Sequence, residues 1–177
     1  HFHDFVNSGF YKILYSNIRL QEMHRKNTAD AVFFHCRMED FMRLPEHFLI
    51  GAATAAHQVE GNNIRSDLWA MEHMKHTSFL EPSLDAVDHY HRYEEDIRLL
   101  SDAGLNAYRF SIEWARIEPE EGVFDTEAVA HYRDVIACCK KYGVEPFVTL
   151  HHFSSPKWLM TKGGWEASTT PADFARY

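Results

Sequence analysis

Two helix-stopping glycines, Gly104 and Gly143, divide the chain into a repeating pattern that admits few folds. Ahead of Gly104, residues 88–103 place Tyr90, Tyr93, Ile97 and Leu100 at three- and four-residue spacing, behind a capping Asp88. Ahead of Gly143, Asp125 or Thr126 caps a second such run with Val129, Tyr132, Val135 and Ile136 on one face. Short apolar runs at 48–56, 107–112 and 146–151 fit strands. A further helix starts near Pro171. Residues 61–87 form a long polar connection with room for a short helix, and 154–170 read as a loop. Strand and helix therefore alternate, which predicts parallel strands joined by crossover helices. Near-continuous apolar strands suit a sheet covered on both faces. A doubly wound sheet and a β/α barrel both satisfy this pattern.

Composition narrows the partners. The chain has 177 residues, enough for a core, with 45% hydrophobic and 25% charged residues. Its net charge of −8, with only 18 Lys and Arg, disfavours nucleic acid. No apolar run is long enough to span a membrane. Cys36, Cys138 and Cys139 do not form a disulfide framework. Free thiols and the lack of a secretory signal lead us to expect a reducing, cytoplasmic setting. Residues 1–37 show no clean period and no caps. They are expected to be an extension outside the folded unit, with Met38 as a natural start and residues 38–177 as the domain. No strand is followed by a GxGxxG or GxxxxGK[ST] loop, which disfavours a nucleotide site.

In parallel α/β folds the working residues gather at the C-terminal ends of strands. Those ends carry His57, Gln58 and Glu60, then Arg109, Ser111, Glu113 and Trp114, then His151, His152 and Phe153. Planar polar groups beside aromatic faces suit a sugar, whose hydroxyls and C–H surface need both. Plainer roles compete. Gln58 could satisfy a loop backbone, and Glu113 fits an ion pair with a residue such as Arg116. Thirteen histidines raise the question of a metal. However, His89 and His91 face different sides of a helix, and His151 and His152 opposite sides of a strand, so no metal is expected. Arg109 stands out, because an arginine within an apolar strand calls for a carboxylate partner.

The stretches FLIGAATAAHQVEG, DAVDHYHRYEEDIRLL, GLNAYRFSIEWARIEPEEGVFD, PFVTLHHFSSPKWL and GGW resemble the N-terminal third of glycoside hydrolase family 1, the β-glucosidases and 6-phospho-β-glycosidases. The resemblance runs in order over residues 48–177. It implies a (β/α)8 TIM barrel, incomplete here at about the first three β/α units, and a retaining β-glycosidase acting on a sugar substrate without a cofactor. It implies that Gln58 and His152 bind the non-reducing-end sugar, and that Arg109 contacts the nucleophilic glutamate and keeps it ionised. Phe153 stands where the family commonly has Trp; it keeps a stacking face but has no N–H donor. Trp69–Ala70 replaces a frequent Trp–Asp pair. The family's two catalytic glutamates lie in NEP and ENG motifs, and neither motif occurs in these residues. A barrel needs about 250 residues. The chain is therefore expected to be an enzyme's N-terminal portion, inactive and aggregation-prone alone. A sugar-binding pseudoenzyme is the alternative, and another barrel hydrolase or isomerase a third.

Overall fold

The computed structural model describes residues 45 and 47–177. The expectations for residues 1–37, Cys36 and Met38 fall outside the described residues. The chain divides after Phe48, and the unit Leu49–Tyr177 carries the strand–helix alternation.

Three parallel strands, β1 (Gly51–Ala53), β2 (Ala107–Ser111) and β3 (Glu145–Thr149), form one sheet in chain order. The register sets Ala53 beside Arg109, and Arg109 beside Phe147. β1 is shorter than the expected 48–56. Its tail turns into a four-residue helix, α1 (Ala56–Val59), because the small residues Ala55 and Ala56 pack tightly enough to be buried there. α2 (Asp67–Glu72) lies within the long connection, and Ser66 Oγ caps it by accepting from Trp69 N. α3 (His89–Asp102) returns to β2, and α4 (Trp114–Ile117) follows it. α5 (Thr126–Lys141) leads to β3. The expected 154–170 loop instead holds α6 (Lys157–Thr161) and a 3₁₀ turn (Gly164–Glu166), with Leu159 fully buried. α7 (Thr170–Arg176) starts with Pro171 in its first turn, where the missing N–H costs nothing.

The core lies between the sheet and α3 and α5. Ile97, Tyr108, Phe110, Tyr132, Val135 and Cys139 are buried together. Alternation along β2 sends Tyr108 and Phe110 into this core and turns Arg109 to the other face. Asp125 caps α5 as expected, accepting from Glu127 N and Ala128 N. Asp88 does not cap α3. Its backbone is left-handed (φ 55°), so its carboxylate is directed to His91 Nδ1 at 2.6 Å instead. Aspartate tolerates that conformation better than most residues. Gly51 is required by contact: a Cβ there would lie 2.2 Å from the Ala107 carbonyl oxygen across the β1–β2 ladder.

Candidate active site at the strand ends

Arg109 leaves the middle of β2 on the face away from the helices and reaches across to the end of β1. Its Nη1 donates to the Thr54 carbonyl at 3.0 Å, while Thr54 N donates to the Arg109 carbonyl at 2.9 Å. The same Nη1 lies 3.4 Å from His152 Nδ1. A guanidinium only donates, so Nδ1 accepts, and the ring carries its proton on Nε2. Burial and the adjacent cation both push the His152 pKa below its usual value. His152 therefore presents a neutral imidazole whose Nε2–H has no hydrogen-bond partner among the described residues. Among the described residues no carboxylate pairs with Arg109; its contacts are a carbonyl and a neutral ring.

Phe153 follows with a left-handed backbone (φ 64°) and a largely exposed ring set edge-on to His152 at 4.9 Å. Gln58 sits on α1, exposed, and its side chain makes no hydrogen bond among the described residues. The loop-satisfying role is therefore not realised. Gln58 shares no hydrogen bond with Arg109 or His152. β3 ends at Thr149, so His151 and His152 lie beyond the strand expected to hold them, yet they still diverge: His151 Nε2 meets Ser155 Oγ at 3.2 Å and its ring packs against Trp165.

A buried polar layer supports this rim. Glu113, almost wholly buried, accepts from Asn63 Nδ2 at 2.8 Å, Ser154 Oγ at 2.5 Å and Ala115 N at 3.1 Å. The expected Glu113–Arg116 ion pair is not formed. Arg116 pairs with Glu60 at 2.8 Å, because α4 turns its side chain back over α1 and onto the Tyr90 ring. Tyr132 donates to the same Glu60 carboxylate at 2.9 Å and accepts from Glu113 N at 3.1 Å. Desolvation raises Glu113, and raises Glu60 to about 7 against the pull of Arg116. Asn63 also approaches His57 Nδ1 at 3.3 Å, and His57 Nε2 lies 2.8 Å from Glu72. Asn63, Glu72 and Ser154 are not among the residues that the sequence singles out. The paired asparagines directly after QVEG are the available signal, since a short amide suits a buried junction between two acceptors.

No helix among the described residues is long and apolar enough to cross a membrane. The arrangement is a parallel β/α sheet whose C-terminal rim offers an arginine, a neutral histidine donor, an exposed amide and an exposed ring. Residues 41–177 match the Glycosyl hydrolase family 1 model, and the chain belongs to that family. It is 42% identical over 139 residues to "6-phospho-beta-galactosidase 1" of Streptococcus pneumoniae, covering 76% of this chain and 29% of that protein. It is 41% identical over 147 residues to "Coniferin beta-glucosidase" of Pinus contorta, covering 78% and 28%. Among solved structures, beta-glycosidase BGL167 shares 59% identity at a TM-score of 0.74, over 76% of this chain and 32% of that one. The family 1 β-glucosidase of Thermotoga maritima shares 34% at 0.69, over 75% and 32%. The chain thus spans less than a third of the length of these relatives.

Proposed function

We propose that this chain supplies the first three β/α units of a (β/α)8 barrel, and that the barrel is a retaining β-glycosidase acting on β-glucosides or related β-glycosides. Gln58 and His152 bind hydroxyls of the non-reducing-end sugar, and Phe153 lends that sugar an apolar face. Arg109 holds the nucleophilic carboxylate ionised, since a cation within about 4–6 Å lowers a carboxylate's pKa. The acid/base and nucleophile carboxylates, about 5–5.5 Å apart in a retaining site, come from outside these residues. The chain alone therefore gives no turnover.

The observation that carries this reading is the meeting of Arg109, from the middle of β2, with His152, just beyond β3, the cation being unpaired by any carboxylate among the described residues. The test is a chimera in which residues 49–177 replace the matching segment of BGL167. We expect hydrolysis of p-nitrophenyl β-glucoside by the chimera and none by the chain alone. Gln58→Ala and His152→Ala should each lower kcat/KM by about 10- to 100-fold, as expected when hydrogen bonds of roughly 1.5–3 kcal/mol to a charged or polarised partner are lost. A folded chimera without hydrolysis, or turnover by the chain alone, would overturn the proposal.

A further inference from the structure

A line of four side chains runs from the surface of α3 through the core to the backbone that holds Arg109. His89 Nδ1 lies 2.7 Å from Asp96 Oδ2. His89 Nε2 lies 3.2 Å from the Tyr108 hydroxyl, and that hydroxyl lies 2.7 Å from Thr54 Oγ1. His89 and Tyr108 are buried, and Asp96 is partly exposed. With Asp96 ionised and the His89 ring neutral, one direction follows for each bond. An ionised carboxylate only accepts, so His89 Nδ1 donates to Asp96. The Nε2 of that tautomer accepts, so Tyr108 donates to His89. The phenol's remaining lone pairs then accept from Thr54. Burial pushes the Tyr108 hydroxyl up to about 12, which keeps it protonated and able to donate.

The far end of the line is the residue that matters for the site. Thr54 is the single residue between the last residue of β1 and the N-cap of α1. Its carbonyl accepts from Arg109 Nη1 and its N–H donates to the Arg109 carbonyl. Freezing a long arginine side chain costs about 2 kcal/mol of rotamer entropy, so the acceptor that orients it must itself be fixed. Resting on the role proposed above for Arg109, we infer that Asp96, His89 and Tyr108 are positioning residues that lock Thr54 and, through its carbonyl, aim the Arg109 guanidinium at the site. None of the three touches Arg109. They act on it through Thr54.

The aim of the guanidinium can be read without sugar or turnover. In the full 177-residue chain, the rate at which phenylglyoxal modifies each arginine is measured by peptide mass spectrometry, with circular dichroism confirming the fold. Arg116, held by Glu60 and Gly61 in a separate network, is the internal control. Tyr108→Phe and Thr54→Val each remove one hydroxyl at nearly constant shape. Each should speed modification of Arg109 about fivefold relative to Arg116, the factor expected for losing one hydrogen bond of ordinary net strength. Thr54→Ser, which keeps the hydroxyl, should restore the wild-type rate. Should Tyr108→Phe fail to fold, Thr54→Val and His89→Gln carry the same comparison. An unchanged Arg109 rate in a folded variant overturns the inference, as does a parallel rise at Arg116, which would mean general loosening. A chimera that fails to hydrolyse glucosides leaves this result standing, and an unchanged Arg109 rate leaves the glycosidase proposal standing.

Discussion

Glu60 joins three elements within the polar layer, at the end of α1 against α4 and α5. It is buried, it pairs with Arg116, and it accepts the Tyr132 hydroxyl. Its pKa rises from 4.5 to about 7, with desolvation the largest cause. The sign follows from linkage. Between pH 4.5 and about 7 the unfolded chain releases this proton while the folded chain keeps it, so the contribution to stability is full below 4.5 and is lost as pH rises through 7. The loss is on the order of 3 kcal/mol, since a tenfold difference in proton affinity is worth about 1.4 kcal/mol. The urea midpoint of the wild type should fall between pH 5 and pH 8, and that of Glu60→Gln, which mimics the protonated acid, should change less. Equal pH dependence in the two proteins would show that Glu60 stays ionised beside Arg116. The sequence exposes some of this layer and hides the rest. An arginine inside an apolar strand announces a need for partners, and Arg109 is legible for that reason. Nothing in a lone threonine says that it will bridge two buried groups, so Thr54 emerges only when the strands align, whereas Asn63 has at least the paired asparagines after QVEG to mark it. The unexpected partner of Arg116 has the same cause: Glu113 lies close to it along the chain and Glu60 far from it, and only the turn of α4 brings Glu60 within reach.

At the scale of elements, what repeats with a period is readable and what depends on tertiary contact is not. The three- and four-residue spacing in α3 and α5, with Gly104 and Gly143 behind them, marks both crossover helices without reference to any contact. The expected β1 runs too long because FLIGAATAA has no period to mark where strand gives way to helix. α6 stands where a loop is expected because Leu159 and its neighbours gain helical shape from packing rather than from pattern. The β1–β2 ladder supplies an element-level test. Thr54 is delivered to Arg109 by that ladder, and the ladder closes at Gly51 because the facing backbone leaves no room for a side chain. Gly51→Ala should destabilise the fold by about 3 kcal/mol or more, in the range of severe core overpacking. Gly104→Ala, where a Cβ meets open space, should cost only the roughly 1–2 kcal/mol of a left-handed residue bearing a Cβ. Chemical denaturation of the two variants distinguishes them, and equal midpoints would mean that β1 yields freely at this position.

Across the described residues the three strands are unevenly covered. β2 is buried along its length except at Arg109, with Tyr108 and Phe110 in the core against α3 and α5. β3 is different. Phe147 and Val148 are exposed within it, and Leu150 just beyond it is 57% exposed. Leu49 and Ile50 are exposed ahead of β1. Among the described residues β1 and β3 each pair with one strand only, leaving their other edges without backbone partners. Single exposed apolar residues are ordinary on a soluble protein, but adjacent ones along an unpaired strand edge invite another chain to add to it. The chain on its own should therefore associate as concentration rises, and sedimentation velocity across a dilution series should show this. Replacing both Phe147 and Leu150 with Lys removes apolar surface worth about 1.5–3 kcal/mol per side chain and sets like charges along the edge. The concentration at half-association should then rise by at least about tenfold. A wild-type chain that sediments as a monomer throughout the series would mean that this edge is already satisfied within the molecule.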